Sequence, residues 1–185
     1  MNRAAQAEPT SGGEHPQRPS HPDGEYRALL ALAELVRQPK PKEPLGELEA
    51  IAHLARELTN ARFAALGVTD ERDRMEGFVT SGIDEKGLPG LKTPPQGHGL
   101  LGSLRHDGKP VRIDDVDRHP QGFGFPPQHP AMRSLLGVPL WGQGEVRGSL
   151  YVTDRDGGQP FTDNDEAVLL TLSRHAQHII ENEWH

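Results

Sequence analysis

One histidine stands in a setting that invites chemistry. In QGFGFPPQHPAMRSLLGVPL, residues 121 to 140, His129 lies between Gln128 and Pro130 in a run of glycines, phenylalanines and prolines, and an apolar strand follows at once. An imidazole placed there has three uses: it can pin the loop by a hydrogen bond, move a proton, or ligate a metal. The chain contains no cysteine. Disulfides, thiolate metal sites and cysteine nucleophiles are removed together, so any metal falls to histidine and carboxylate.

The remaining candidates are weaker. His175 and His178 are three apart in the last periodic segment and share a helix face, but no third ligand of matching placement accompanies them. His98, His106 and His119 fall in loops or turns and read as solvated. RIDDVD, 112 to 117, offers three carboxylates. Strand alternation sends Asp114 and Asp115 to opposite faces, so no acid–base pair forms. GQGEVRG, 142 to 148, is glycine-rich but sits in a hairpin, without the strand-to-helix context of a phosphate loop. Ser103 lacks a G-x-S-x-G elbow. No catalytic constellation emerges, and the chain reads as a non-enzyme.

The elements that must position His129 follow from periodicity. YRALLALAELVRQ, 26 to 38, repeats Leu29, Leu30, Leu32, Leu35 and Val36 at helical spacing. PKPKEP, 39 to 44, breaks it. LGELEAIAHLARELTNA, 45 to 61, is a second amphipathic helix with Leu48, Ile51, Leu54, Ala55 and Leu58 on one side; His53 lies off that stripe and reads as solvated. ARFAALGVTD and MEGFVTSG read as two strands around the turn ERDR. IDEKGLPGL is short and irregular. A short helix at 99 to 105, a turn at Asp107-Gly108 and a strand at 110 to 114 come next. Residues 115 to 133 form a long proline-rich loop, a length that marks function or disorder. RSLLGVPLWG and VRGSLYVTD pair as an antiparallel hairpin across GQGE. A helix over 162 to 183, capped by Thr162 or Asp163, presents Leu169, Leu172, Ala176, Ile179 and Ile180. The order is αα–ββ–α–β–loop–ββ–α, an α+β layer fold with a mostly antiparallel sheet.

Composition bounds the partners. Of 185 residues, 34% are hydrophobic and the net charge is −7. There is no basic stripe, so nucleic acid is not an expected partner. No run approaches ~18 apolar residues, so no membrane span is expected. Residues 1 to 24 hold almost nothing that could be buried and read as a disordered tail. Residues 25 to 44 supply the first helix and a linker, and 45 to 185 the main domain. A cytoplasmic location is the expectation.

Three blocks in this order, GHGLLGSLRHDGKPVRIDD, GVPLWGQGEVRGSLYVTD and PFTDNDEAVLLTLSRHA, resemble those of a GAF domain over roughly residues 45 to 183. The loop GFPPQHPAMRSLLGVPL and the strand LYVTD are similar to those of the haem-binding GAF domains of actinobacterial dormancy-survival sensor histidine kinases. That resemblance implies a central sheet with the terminal helices on one face and short helices and loops over a ligand pocket on the other. It also implies haem b with His129 as the proximal iron ligand, Tyr151 on the distal side, and Ser81, beside the GID turn, at the haem-access position. Phe78, Leu100, Leu101, Phe123, Phe125, Met132 and Leu136 are expected to line the slot.

The function so implied is a cytoplasmic sensor of a diatomic gas or redox state that signals through its terminal helices, with a histidine kinase as one signalling partner. The alternative is a haem-free interaction or dimerisation module, or a binder of another small molecule. A methionine-sulfoxide reductase, found in some GAF proteins, is disfavoured because that chemistry uses thiols. Bilin attachment would likewise need a cysteine. A homodimer is expected. Helices 26 to 38 and 162 to 183 should pack together beside the sheet and present a self-association face ending in Ile179, Ile180 and Trp184.

Overall fold

The computed structural model describes residues 23–72, 74–82, 104, 106–118 and 132–184. The expected tail and most of the loop carrying His129 lie outside them. Among the described residues, three helices, α1 (Asp23–Leu35), α2 (Pro44–Leu58) and α3 (Asp163–Glu183), accompany five strands. The strands are β1 (Ala61–Thr69), β2 (Met75–Ser81), β3 (Val111–Ile113), β4 (Leu135–Gly142) and β5 (Glu145–Arg155). They form one antiparallel sheet in the order β2-β1-β5-β4-β3. The α+β architecture expected from periodicity is the one observed.

Each helix has a local reason to begin where it does. Asp23 and Glu25 place negative charge in the first turn of α1, where the helix dipole favours it. Pro44 opens α2, a position where its missing N–H costs nothing. Thr162 and Asp165 close a reciprocal capping box at the start of α3. The Asp165 N–H donates to Thr162 Oγ1 at 3.3 Å, and the Thr162 N–H donates to Asp165 Oδ2 at 2.7 Å. Of the two expected caps, Thr162 is the one used. Thr162→Ala is expected to lower stability by about 1 kcal/mol, read as a fall of roughly 2–4 °C in Tm by calorimetry. An unchanged Tm would mean that the cap contributes nothing measurable.

The helices cover one face of the sheet. Leu66, Val68, Leu136, Val138, Leu140, Leu150 and Val152 turn toward Leu48, Ile51, Leu169, Leu172 and Ile179 and are fully or almost fully buried. Gly24 at the start of α1 meets the backbone of Asn164, where a Cβ would lie 2.0 Å from the carbonyl oxygen. Only glycine lets α1 dock there. Ala28 and Leu32 continue that buried stripe, while Tyr26, Leu29, Leu30 and Val36 face solvent. The terminal helices do pack together. However, Ile179 and Ile180 are spent in the core rather than on an outer face. Trp184 closes over Gly77 and donates from Nε1 to Glu76 at 3.0 Å. Among the described residues the most exposed large apolar side chains are Tyr26, Leu29 and Leu30 of α1 and Val36 just beyond it.

β4 and β5 turn around on Gln143 and Gly144, both with positive φ (54° and 84°). Paired positive φ values match the strand twist in a two-residue hairpin.

Candidate functional site

The second face of the sheet carries a smaller apolar cluster. Ala65, Ile113, Val116, Leu135 and Tyr151 are buried there, with Phe78 and Val111 packed against them. Strand parity selects them. Tyr151 pairs with Ala65 on one side and Gly137 on the other, and directly paired residues point to the same face. Leu104 is also fully buried, and its side chain fills the space beside Gly137, where a Cβ would come within 2.7 Å of it.

Two hydroxyls stand two residues apart on this face of β5. Burial pushes the Tyr151 hydroxyl well above the ordinary tyrosine range, so it remains a protonated donor at neutral pH. Thr153 is 1% exposed, and its Oγ1 finds no hydrogen-bond partner among the described residues. An apolar wall with two hydroxyls on one strand face can hold a flat or compact apolar ligand and address a polar atom on it.

The ends of the loop that carries His129 are held at the rim of this cluster. The Val116 N–H donates to the Arg133 carbonyl at 2.7 Å. Asp154, in a left-handed conformation at φ 55°, accepts from the Arg133 N–H at 2.7 Å and the Ser134 N–H at 3.1 Å. Asp115 lies 3.3 Å from the Arg118 guanidinium and 3.4 Å from that of Arg133. The acidic run RIDDVD thus fastens the loop; it assembles no acid–base pair.

Of the residues singled out from sequence, Phe78 and Tyr151 share the second face, and Met132 is buried at the loop exit. His129, Leu100, Leu101, Phe123 and Phe125 lie outside the described residues. Ser81 is not brought together with Phe78 and Tyr151. It pairs with Ala64, which faces the helices, and its Oγ lies 3.3 Å from His53 Nδ1 on α2. His53 in turn sits 3.2 Å from Glu57, so it ties the edge strand to α2 instead of merely being solvated. Leu136 also turns to the helix side, and Leu135 takes the place on the second face expected for it. Ala65, Leu104, Ile113, Val116 and Thr153 were missed. Counting alternate residues outward from Tyr151 would have found Thr153. No cluster of three or more histidines or carboxylates that could hold a metal occurs among the described residues.

A family model described as GAF domain matches residues 47–181. Among solved structures, the chain is similar to the GAF domain of a phosphoenolpyruvate-protein phosphotransferase from Coxiella burnetii. The identity is 21%, the match covers 87% of this chain and 95% of that one, and the TM-score is 0.71. The corresponding Acinetobacter domain is 18% identical over 85% of this chain and 92% of that one, at a TM-score of 0.67. A free methionine-R-sulfoxide reductase from Neisseria meningitidis is 18% identical over 91% and 95%, at 0.63.

Proposed function

This chain belongs to the GAF family, and from that membership we propose that it is a sensory domain whose second sheet face binds haem b through His129. The observation that carries this reading is the apolar cluster around Tyr151 and Phe78, on the sheet face opposite the three helices. Its composition fits a porphyrin. Aliphatic and aromatic side chains supply the flat apolar contact, and the Tyr151 hydroxyl remains a donor beside it.

His129 stands three residues before Met132. Chain geometry limits it to within about 11 Å of that buried residue. Bound on the second face, haem would supply an iron that takes up a diatomic gas or changes oxidation state. The chain's own part is distinct. Phe78, Leu135 and Ile113 exclude water, Tyr151 presents a proton to a polar atom on the ligand, and the loop anchored by Asp115 and Asp154 carries the imidazole. Ser81, turned toward His53, is given no role in this reading. A displacement of that loop would pull on β4 and β5, which pack directly on α3. The expected route outward is therefore through α3 and α1 to a signalling partner such as a histidine kinase.

Purified protein from haem-supplemented cells tests the reading. Bands of a protein-bound haem at near one equivalent support it; no uptake under conditions that load a known haem protein rejects it. The alternative, a haem-free dimerisation module, rests on the solvent-facing Tyr26, Leu29 and Leu30 of α1 and Val36 just after it, a stripe suited to a second copy. Sedimentation showing only monomer at micromolar concentration would remove it.

A further inference from the structure

Thr59, Thr171 and Ser173 are buried hydroxyls that donate to backbone carbonyls three or four residues before them, at 2.7, 2.8 and 2.9 Å. A helix keeps such carbonyls within a side chain's reach. Thr69, on β1, donates to the Arg147 carbonyl at 3.3 Å. Thr153 has no such recourse. It is 1% exposed, and its Oγ1 meets no hydrogen-bond partner among the described residues. The pairing of β5 gives the reason. Opposite Thr153 stand Phe63 on β1 and Leu135 on β4. Paired residues share a face, so the hydroxyl is set between two apolar side chains.

A buried hydroxyl without a partner costs stability, and a valine of the same shape would remove that cost. A resident water is a poor answer. It needs two or more polar partners, and the Phe63 and Leu135 side chains offer none. A ligand atom is a better one, and the ladder says which part of the ligand it belongs to. Phe78, paired with Gly67, stands one step to one side of Tyr151 along the second face, and Leu135, paired with Thr153, stands one step to the other. Tyr151 is therefore at the middle of the cluster. Thr153 lies roughly 7 Å from it along β5, next to Asp154, whose carboxylate accepts from the Arg133 and Ser134 N–H groups at the loop exit. A group met at Thr153 lies at the edge of the ligand, not at its centre.

We infer that Thr153 is a specificity-determining contact of the second-face site, its hydroxyl donating to an oxygen at the edge of the bound ligand. The inference rests on the porphyrin reading above. The oxygens of haem b all lie in its propionate carboxylates, so the acceptor is a carboxylate oxygen. Such a bond is charge-assisted, the stronger kind. A hydroxyl is then kept where valine would be more stable because the empty site carries an unmet donor that the ligand satisfies.

Iron-free protoporphyrin IX is the probe, since its binding owes nothing to iron coordination by His129. In the full chain, Thr153→Val is expected to raise Tm by roughly 2–4 °C without ligand. It should also weaken protoporphyrin, titrated by fluorescence, by roughly tenfold. Thr153→Ser, which keeps the hydroxyl, should bind as the wild type does. The loss on Thr153→Val should be smaller for protoporphyrin dimethyl ester, whose oxygens carry no charge. A lower Tm for Thr153→Val would mean that the hydroxyl already has a partner within the protein, and would overturn the inference. So would unchanged protoporphyrin affinity, an equal loss with the ester, or a loss in Thr153→Ser matching that of valine. Protoporphyrin binding that weakens in Thr153→Val, beside haem bands that His129→Ala leaves unchanged, would uphold Thr153 and reject His129 as the ligand. Uptake of neither porphyrin by the wild type would overturn both.

Discussion

His129→Ala protein from a haem-loading preparation is expected to lack the ferrous absorption bands of the wild type while keeping its fold. Neutral imidazole is a strong iron ligand. On the proposed reading it is the single coordinating bond that the chain makes. Alanine removes that bond and leaves the apolar face intact, so residual porphyrin contact survives without the axial signature. Affinity should fall by roughly 100-fold or more, since even removing a partner one step behind a ligand costs 10–100-fold. No described histidine can substitute from the helical layer. His53 is engaged with Ser81 and Glu57 on α2, and His175 and His178 lie on α3.

Two companion variants sharpen the test. His119→Ala should leave the bands unchanged. Tyr151→Phe should retain haem but alter oxygen affinity or autoxidation, because only a hydroxyl is lost. Unchanged bands in His129→Ala would place the ligand elsewhere. A spectrum-free wild type, with His129→Ala merely less stable by about 1 kcal/mol, would return His129 to a loop hydrogen bond.

Gly148→Ala should have the largest effect on stability. Gly148 lies opposite Val68 in the β1–β5 ladder, where the backbones press together. A Cβ there would sit 2.0 Å from the Gly67 carbonyl oxygen and 3.1 Å from Val68 Cα. These are backbone atoms at the centre of the sheet, so no side-chain rotation relieves the clash. The ladder must open or shift, which also disturbs the burial of Leu150 and Val68 on the helix side. A loss of roughly 3 kcal/mol or more is expected, or on the order of 10 °C in Tm, measurable by denaturant titration or as loss of soluble protein. Gly144→Ala is the useful contrast, since nothing lies within 4 Å of its added Cβ. Its cost should be confined to the strained positive φ. Equal Tm values for Gly148→Ala and wild type would show that the two strands can separate at that point without penalty.

How much of this was legible beforehand varies from element to element. The three helices, the five strands and the α+β class could be read from sequence alone, because each rests on a local signal. Apolar spacing of three to four marks α1, α2 and α3, Pro44 opens α2, and Thr162 caps α3. The GAF resemblance likewise came from contiguous blocks, and the family match over residues 47–181 agrees with it.

Tertiary structure alone decided what faced what. LLGVPLWG in β4 is buried at almost every position. Its alternation is therefore invisible in the sequence, and nothing there says that Leu135 joins Tyr151 while Leu136 joins the helices. Ser81 reads as a neighbour of Phe78, yet three residues along a strand reverse the face, and it ends on His53. Ile179, Ile180 and Trp184 continue an apolar stripe that suits a partner as well as a core. Only the docking of α3 on β4 buries the two isoleucines, and that of Trp184 on Gly77 holds the indole half-buried against the core. The ion pair of Lys40 with Glu183 joins the connector after α1 to the last turn of α3, far apart in the chain. Local patterns specify elements because helix and strand periodicity arise within a few residues. Parity, burial and long-range charge pairing arise between elements, and they exist only once the sheet has chosen its faces.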